Sequence, residues 1–235
     1  MENNTQDRNA KPHFDTTITG KKIAGHFKTI TRHKLMVTDL CLKVGLTKQG
    51  LLHDLSKYEP VEFITGARYY SGDHSPNADE KKDKGYSDAW LHHKGRNRHH
   101  FEYWMDIQHK EGDSGTVLFN AKMPLRYVLE MACDRIAACK VYHGSHYSDR
   151  DPWAYYSFMY SVVGPHMHAE TSALLEDILQ MLAERGEKKA LVFMRWLLKH
   201  PDVYEGRTYK RRLPLNYSGQ DIEEEYRRLR SHNPY

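Results

Sequence analysis

Four residues stand in an order that suits a metal ion: His33, then the adjacent pair His53 and Asp54, then Asp134. Histidine is the commonest metal-binding side chain, and carboxylates are frequent partners for the same ions. Twenty positions separate His33 from His53 and eighty separate Asp54 from Asp134, so the four must come from three different elements. Two of them fall on apolar helix faces. His33 has Ile30 three residues before it, Met36 three after and Val37 four after, and such positions are neighbours on a helix. Asp134 stands in the same way to Met131, Ala137 and Ala138. A carboxylate on such a face costs several kcal/mol unless it is paired or bound to a cation. One cation held by His33, His53, Asp54 and Asp134 satisfies all four. Two imidazoles and two carboxylates suit Mn, Fe, Zn or Ni rather than Ca, which prefers oxygen ligands. The plainer alternative is a pair of satisfied core polar groups with a His–Asp dipeptide that merely closes a helix.

A second constellation is WLHHKGRNRHHFEYW, which carries His92, His93, His99 and His100 with Lys94, Arg96 and Arg98. His92 and His99 are seven apart, as are His93 and His100. On a continuous helix each pair shares one face, and a break at Gly95 turns both pairs toward one centre. The cations could instead clamp a phosphate, or the segment is a solvated basic surface packed by its aromatic residues. Histidine is abundant overall, 16 of 235 residues, and five lie between positions 92 and 109.

The elements that must position these groups read as helices. Ile23, Phe27, Ile30, Val37 and Leu40 recur at steps of three, four and seven between Thr19 and Leu46, with Gly45 as a stop. A short helix is expected from Thr47, as cap, to about Leu55, so that His53 and Asp54 lie at its end. Pro60 opens another with Val61, Phe63 and Ile64. The stretch 71–85 reads as a surface loop, Ser87 as a helix cap, and 110–123 as a loop or small hairpin. Pro124 opens a long helix, and three more follow near 152–163, 168–185 and 187–199, the last apolar almost all round and expected to be buried. The resulting expectation is an all-α globule of about seven helices. A flexible tail is expected over 1–15, a single helical domain over 16–200, and a polar extension over 201–235.

Composition excludes other classes. Hydrophobic residues make up 39% and charged residues 28%, as in an ordinary soluble domain. No apolar run is long enough to span a membrane, and no export signal is visible at the N-terminus. Cys41, Cys133 and Cys139 are odd in number and form no C-x-x-C pair, which points to a reducing cytoplasm and to buried thiols. A net charge of +4 lacks the clustering of a nucleic-acid binder and suits a small anionic substrate equally well.

The order H…HD…D, flanked by LLHDLSKY and MACDRIAA, resembles the HD superfamily of metal-dependent phosphohydrolases, which are all-helical. The resemblance implies that His33, His53, Asp54 and Asp134 are the metal ligands. LLHDLSKY also resembles the HD-x-x-K variant, which implies that Lys57 holds substrate phosphate. The run from about His26 to Lys140 is similar, more closely, to an uncharacterised family of bacterial HD-like proteins that share an HHKGRN-x-HH-x-EYW stretch. Some members of the superfamily bind a second ion through extra histidines. That implies His92 here, with His100 or His99 next, and one or two ions in all. In the phosphohydrolase reading Asp54 bridges the ion and orients a water, while Lys57 and Arg96 neutralise the phosphoryl oxygens. His93 or His99 protonates the leaving oxygen, and His100 is a further candidate substrate contact. Two rival expectations stand beside it: a di-iron oxygenase, motivated by the histidine cluster, and a non-catalytic helical binding module.

Overall fold

Helix α1, Gly20–Val44, is built as its sequence requires. The Thr19 side chain accepts a hydrogen bond from the Lys22 amide at 3.2 Å, and Gly45 ends the helix in the left-handed region at φ 105°. Its buried face is His26, Ile30, His33, Val37, Leu40, Cys41 and Val44. Ile23 and Phe27, expected on that face, are exposed. Phe27 leans edge-on against Tyr58 and Phe63 at the surface instead. The computed structural model describes residues 14–109, 115–206 and 208–210. Most of the expected tail and most of the expected extension lie outside these.

Short helix α2, Thr47–Leu52, lies against α1 at Gly50. It ends before His53, earlier than expected, because Asp54 adopts φ 52° and turns the chain into the 3-10 segment Leu55–Tyr58. Asp54 is the one non-glycine residue with positive φ among those described. Asp tolerates this conformation better than most residues. Helix α3, Pro60–Arg68, follows with Pro60 in its first turn.

The stretch 71–85 is not all loop, since α4 spans Pro76–Lys84. Its run of charges is ordered rather than random. Asp79 sits in the first turn, three lysines sit in the last, and Gly85 caps the end in the left-handed region. Ser87 caps α5, Asp88–Lys94. Strands β1, Met105–His109, and β2, Thr116–Asn120, then form an antiparallel hairpin with Ile107 opposite Leu118.

Helix α6, Leu125–His143, is the central rod and packs against α1. The small residues Ala132, Cys133 and Ala137 have no exposure and let neighbours approach closely. Helices α7, Asp151–Val163, α8, Ala169–Arg185, and α9, Glu187–Lys199, complete the all-α globule. Helix α9 buries only one face, Ala190, Leu191, Met194 and Leu197, while Val192 and Trp196 are exposed. The apolar run therefore covers more than the buried stripe; Trp196 stacks on Phe193 and His200 at the surface.

The core joins α1, α6, α8 and α9 around Val37, Leu129, Ile136, Leu175 and Met194. Each fully buried side chain of this kind stabilises the fold by about 1.5–3 kcal/mol. The chain beyond residue 200 contributes too. Tyr204 and Tyr209 lie in the core, with the Tyr204 hydroxyl donating to the Met123 carbonyl at 2.9 Å. All three cysteines are buried and unbridged. No helix among the described residues is long and apolar enough to cross a membrane.

Candidate metal centre

Six pieces of chain converge between α1 and α6. Helix α1 supplies His33, and the turn after α2 supplies His53, Asp54 and Lys57. Glu62 comes from α3, His92 and His93 from α5, and Glu130 and Asp134 from α6. The sixth piece is the bend after α5. The helix stops at Lys94, the His93 carbonyl accepts from the Arg96 and Asn97 amides, and the reversed chain brings back His99 and His100.

Three overlapping groups of side chains result, each with ligand atoms within 4.8 Å of one another, a spacing that could hold a metal ion; two share Asp54, and the third is His53, His99 and Glu130. The first is His33, His53, Asp54 and Asp134. Its His33 Nε2 lies 2.9 Å from Asp134 Oδ1 and 3.8 Å from Asp54 Oδ2. His53 Nε2 lies 3.3 Å from Asp54 Oδ2 and 3.5 Å from Asp134 Oδ1. Ligands placed ~2.1 Å from an ion in a tetrahedron stand ~3.4 Å from one another, so these spacings bracket the value a transition metal needs. The second group is Asp54, His93, His99 and His100. Here Asp54 Oδ1 lies 3.3 Å from His93 Nε2 and 3.4 Å from His99 Nε2. Asp54 thus turns one oxygen to each group.

Buried atoms without partners mark the same place. His53 Nε2, Asp54 Oδ1, His99 Nε2 and His100 Nε2 have no hydrogen-bond partner among the described residues, while Asp54 Oδ2 is paired with Lys57 Nζ. Leaving one such group unsatisfied costs about 1–3 kcal/mol. Several together approach the whole stability of a domain, about 5–15 kcal/mol. The donor chemistry fits a transition metal, because the inward atoms are imidazole nitrogens and carboxylate oxygens.

Charge is balanced within the cluster. Burial works to raise Asp54, but His53, Lys57 and His93 hold its carboxyl well below the usual range. Asp134 is held down against burial by His33 and His53. Burial lowers His33 and strongly lowers His100, which keeps both rings neutral with a lone pair to donate. His53 is the opposite case: burial opposes its charge, but Asp54, Asp134 and Glu130 together hold it well above its ordinary value.

Glu130, from the third group, and Glu62 hold the far side of the rings. Glu130 Oε1 lies 3.0 Å from His53 Nδ1 and 3.1 Å from His99 Nδ1. Glu62 Oε1 lies 2.7 Å from His92 Nδ1, and its Oε2 lies 2.8 Å from His93 Nδ1. Glu130 was not singled out from the sequence, although it sits four residues before Asp134 on one face of α6.

Several expected roles shift. His92, expected as the ligand of a second ion, is held by Glu62 and by Glu59, whose Oε2 is 3.3 Å from His92 Nε2. Adjacent residues on a helix point about 100° apart, and His93 is the one that faces inward. His93 and His99, expected as acids, have one nitrogen toward Asp54 and the other on a glutamate, so neither presents a free proton to a substrate. His100, expected to touch substrate, is packed between His93, His99 and Trp90. Arg96 is exposed and among the described residues reaches only the His92 carbonyl, at 3.5 Å. Lys57 stays at the centre: its Nζ is 2.6 Å from Asp54 Oδ2, and its side chain is 28% exposed. Asp134 is 18% exposed, so the approach from solvent lies on the side these two share.

Residues 22–181, more than half of the chain, match a family described as "Family of unknown function (DUF5662)". That span contains both donor groups and both glutamates. No curated protein and no solved structure matches.

Proposed function

The chain belongs to the DUF5662 family, whose function is unknown, and we propose that it is a metal-dependent hydrolase of small phosphorylated substrates, built on an HD-type site. The observation that carries this reading is the division of Asp54, one oxygen facing His33, His53 and Asp134 and the other facing His93, His99 and His100. Asp54 and the imidazoles and carboxylate around it would hold one or two divalent ions, Mn, Fe, Zn or Ni. Such an ion, when bound, polarises a phosphoryl oxygen and lowers the pKa of a coordinated water toward about 7.

The protein's own residues then have separate tasks. Asp54 holds both positions at a fixed spacing. Lys57, partly exposed beside Asp54, receives the anionic oxygens of the substrate and neutralises the charge that grows on them. The buried imidazoles and the surrounding apolar helices exclude bulk water, which strengthens each of these interactions. Three unbridged, buried cysteines fit a cytoplasmic location.

The test is phosphate release from nucleotides and simple phosphomonoesters by protein loaded with Mn, Fe, Zn or Ni. Activity is expected to disappear in Asp54→Asn and His53→Ala. Turnover that is unchanged in both variants refutes the proposal. A second reading, an iron-dependent oxygenase, is favoured by the three imidazoles of the second group, a nitrogen-rich set that suits iron. Two irons per chain with substrate-dependent oxygen uptake would select it over hydrolysis.

A further inference from the structure

We propose that Glu62 and Glu130 are positioning residues that set the tautomers of the ligand histidines, and that they do so unequally. Glu62 governs the second ion position alone, and Glu130 governs both. The proposal rests on the metal-centre reading above.

A neutral imidazole donates a lone pair only from the nitrogen that carries no proton. To hold an ion, His53, His93 and His99 would each offer Nε2 on the Asp54 side, so each, His53 included once it gives up its second proton, must keep a proton on Nδ1 alone. That proton needs an acceptor, because a buried N–H without one is costly. Glu62 and Glu130 are the carboxylates in place, and both are buried. A carboxylate behind a ligand histidine fixes ring orientation and raises basicity at the opposite nitrogen.

At His93 there is a competitor. The Asn97 amide nitrogen lies 3.1 Å from His93 Nδ1, and a donor there would favour the wrong tautomer. Its two protons are already placed, one toward Ser56 Oγ at 2.9 Å and one toward the His93 carbonyl at 2.8 Å. Ser56 Oγ is itself 3.3 Å from His93 Nδ1, longer than the 2.8 Å to Glu62. The carboxylate is therefore the acceptor that decides the tautomer.

The asymmetry follows from which rings each glutamate serves. Glu62 has one ring of the centre, His93, and spends its other oxygen on His92 outside it. Glu130 uses a single oxygen for His53 of the first group and His99 of the second. Loss of Glu62 should weaken one ion, and loss of Glu130 should weaken both.

The experiment is equilibrium dialysis of the full chain against Zn(II) and Co(II), with metal counted by elemental analysis and the cobalt spectrum recorded. Wild type is expected to take two ions. Glu62→Ala should weaken the second by about 10–100-fold and leave the first unchanged. Glu130→Ala should weaken both, and His92→Ala neither. Should Glu62→Ala fail to fold, Glu62→Gln preserves the shape and carries the same expectation in smaller degree. Long-range 15N spectra of the histidine rings give a readout that needs no metal: His93 should be the Nδ1–H tautomer in wild type and a mixture in the variant. Two ions bound with wild-type affinity in Glu62→Ala and Glu130→Ala, or an equal loss of both ions in the two variants, overturns this inference alone. A wild-type chain that binds no ion overturns the metal centre and this inference with it.

Discussion

Replacing Gly50 with alanine should damage the candidate centre without touching any of its residues. A Cβ built on Gly50 lies 2.8 Å from Cys41 Cβ and 3.2 Å from both the Cα and the carbonyl oxygen of Thr38. Non-bonded carbons prefer ~3.5–4.0 Å, so α2 must move away from α1 by roughly 1 Å. Two of these contacts are to backbone inside α1, which cannot yield as a flexible side chain does. The Thr38 hydroxyl also donates to the Gly50 carbonyl at 2.7 Å, so the same movement strains that bond. His53 and Asp54 follow only three and four residues later, and metal ligands tolerate displacements of about 0.2 Å. Overpacking of this kind costs about 1–3 kcal/mol. With about 2–4 °C lost per kcal/mol in a domain of this size, the melting temperature should fall by roughly 2–12 °C. The assay is a thermal melt by circular dichroism beside a zinc titration. Gly20→Ala is the control, since nothing lies within 4 Å of a Cβ there. A Gly50→Ala protein that melts within 1 °C of wild type and binds zinc equally well refutes the reasoning that ties this close approach to the His53–Asp54 turn.

Three further outcomes are expected. Burial, with Lys57 nearby, pulls His26 down to about 4 from an ordinary 6.5, so the unfolded chain takes up that proton first. Stability from this residue is intact above pH 6.5 and is lost as pH falls toward 4, by up to about 3 kcal/mol; urea melts from pH 7 to 4 should show a shallower decline in His26→Phe. Adding zinc at about a hundred times its dissociation constant should stabilise the fold by about 2.7 kcal/mol and raise the melting temperature by roughly 5–10 °C, an effect absent in Asp54→Asn. Lys57→Met should raise KM for a phosphorylated substrate by about 10–100-fold, as expected for loss of a charge-assisted contact worth ~1.5–3 kcal/mol, and an unchanged KM would remove Lys57 from the binding role.

Much of the scaffold was legible because helix signals are local. Thr19, Gly45, Ser87 and Pro124 mark ends that the helices respect within a residue or so. Helix α4 was missed because charged residues alone show no periodicity, and only the order of its acidic first turn and basic last turn distinguishes it from a solvated loop. The outward shift of Ile23 and Phe27 was invisible because apolar spacing fixes the presence of a helix more firmly than its rotation. At the centre, the apolar neighbours of His33 and Asp134 were readable as a shared interior. The choice of His93 over His92 was not, because it depends on the angle at which α5 meets α3 and on a carboxylate thirty residues away. Glu130 escaped notice for the same reason: its partners lie in two distant turns, and nothing in its own helix announces them.

The placement of the donors has a consequence for biosynthesis. His33 through His100 leave the ribosome as one batch, and Glu130 and Asp134, which complete and brace the set, arrive only when α6 has been translated. Proteins are made from the N-terminus at about 5–20 residues per second, so for some seconds the nascent chain carries His53 and His99 without Glu130, the carboxylate that sorts their protons. If the centre holds an ion as proposed, its secure capture waits until α6 docks against α1, and the order of translation itself delays loading until the rod that closes the centre is in place.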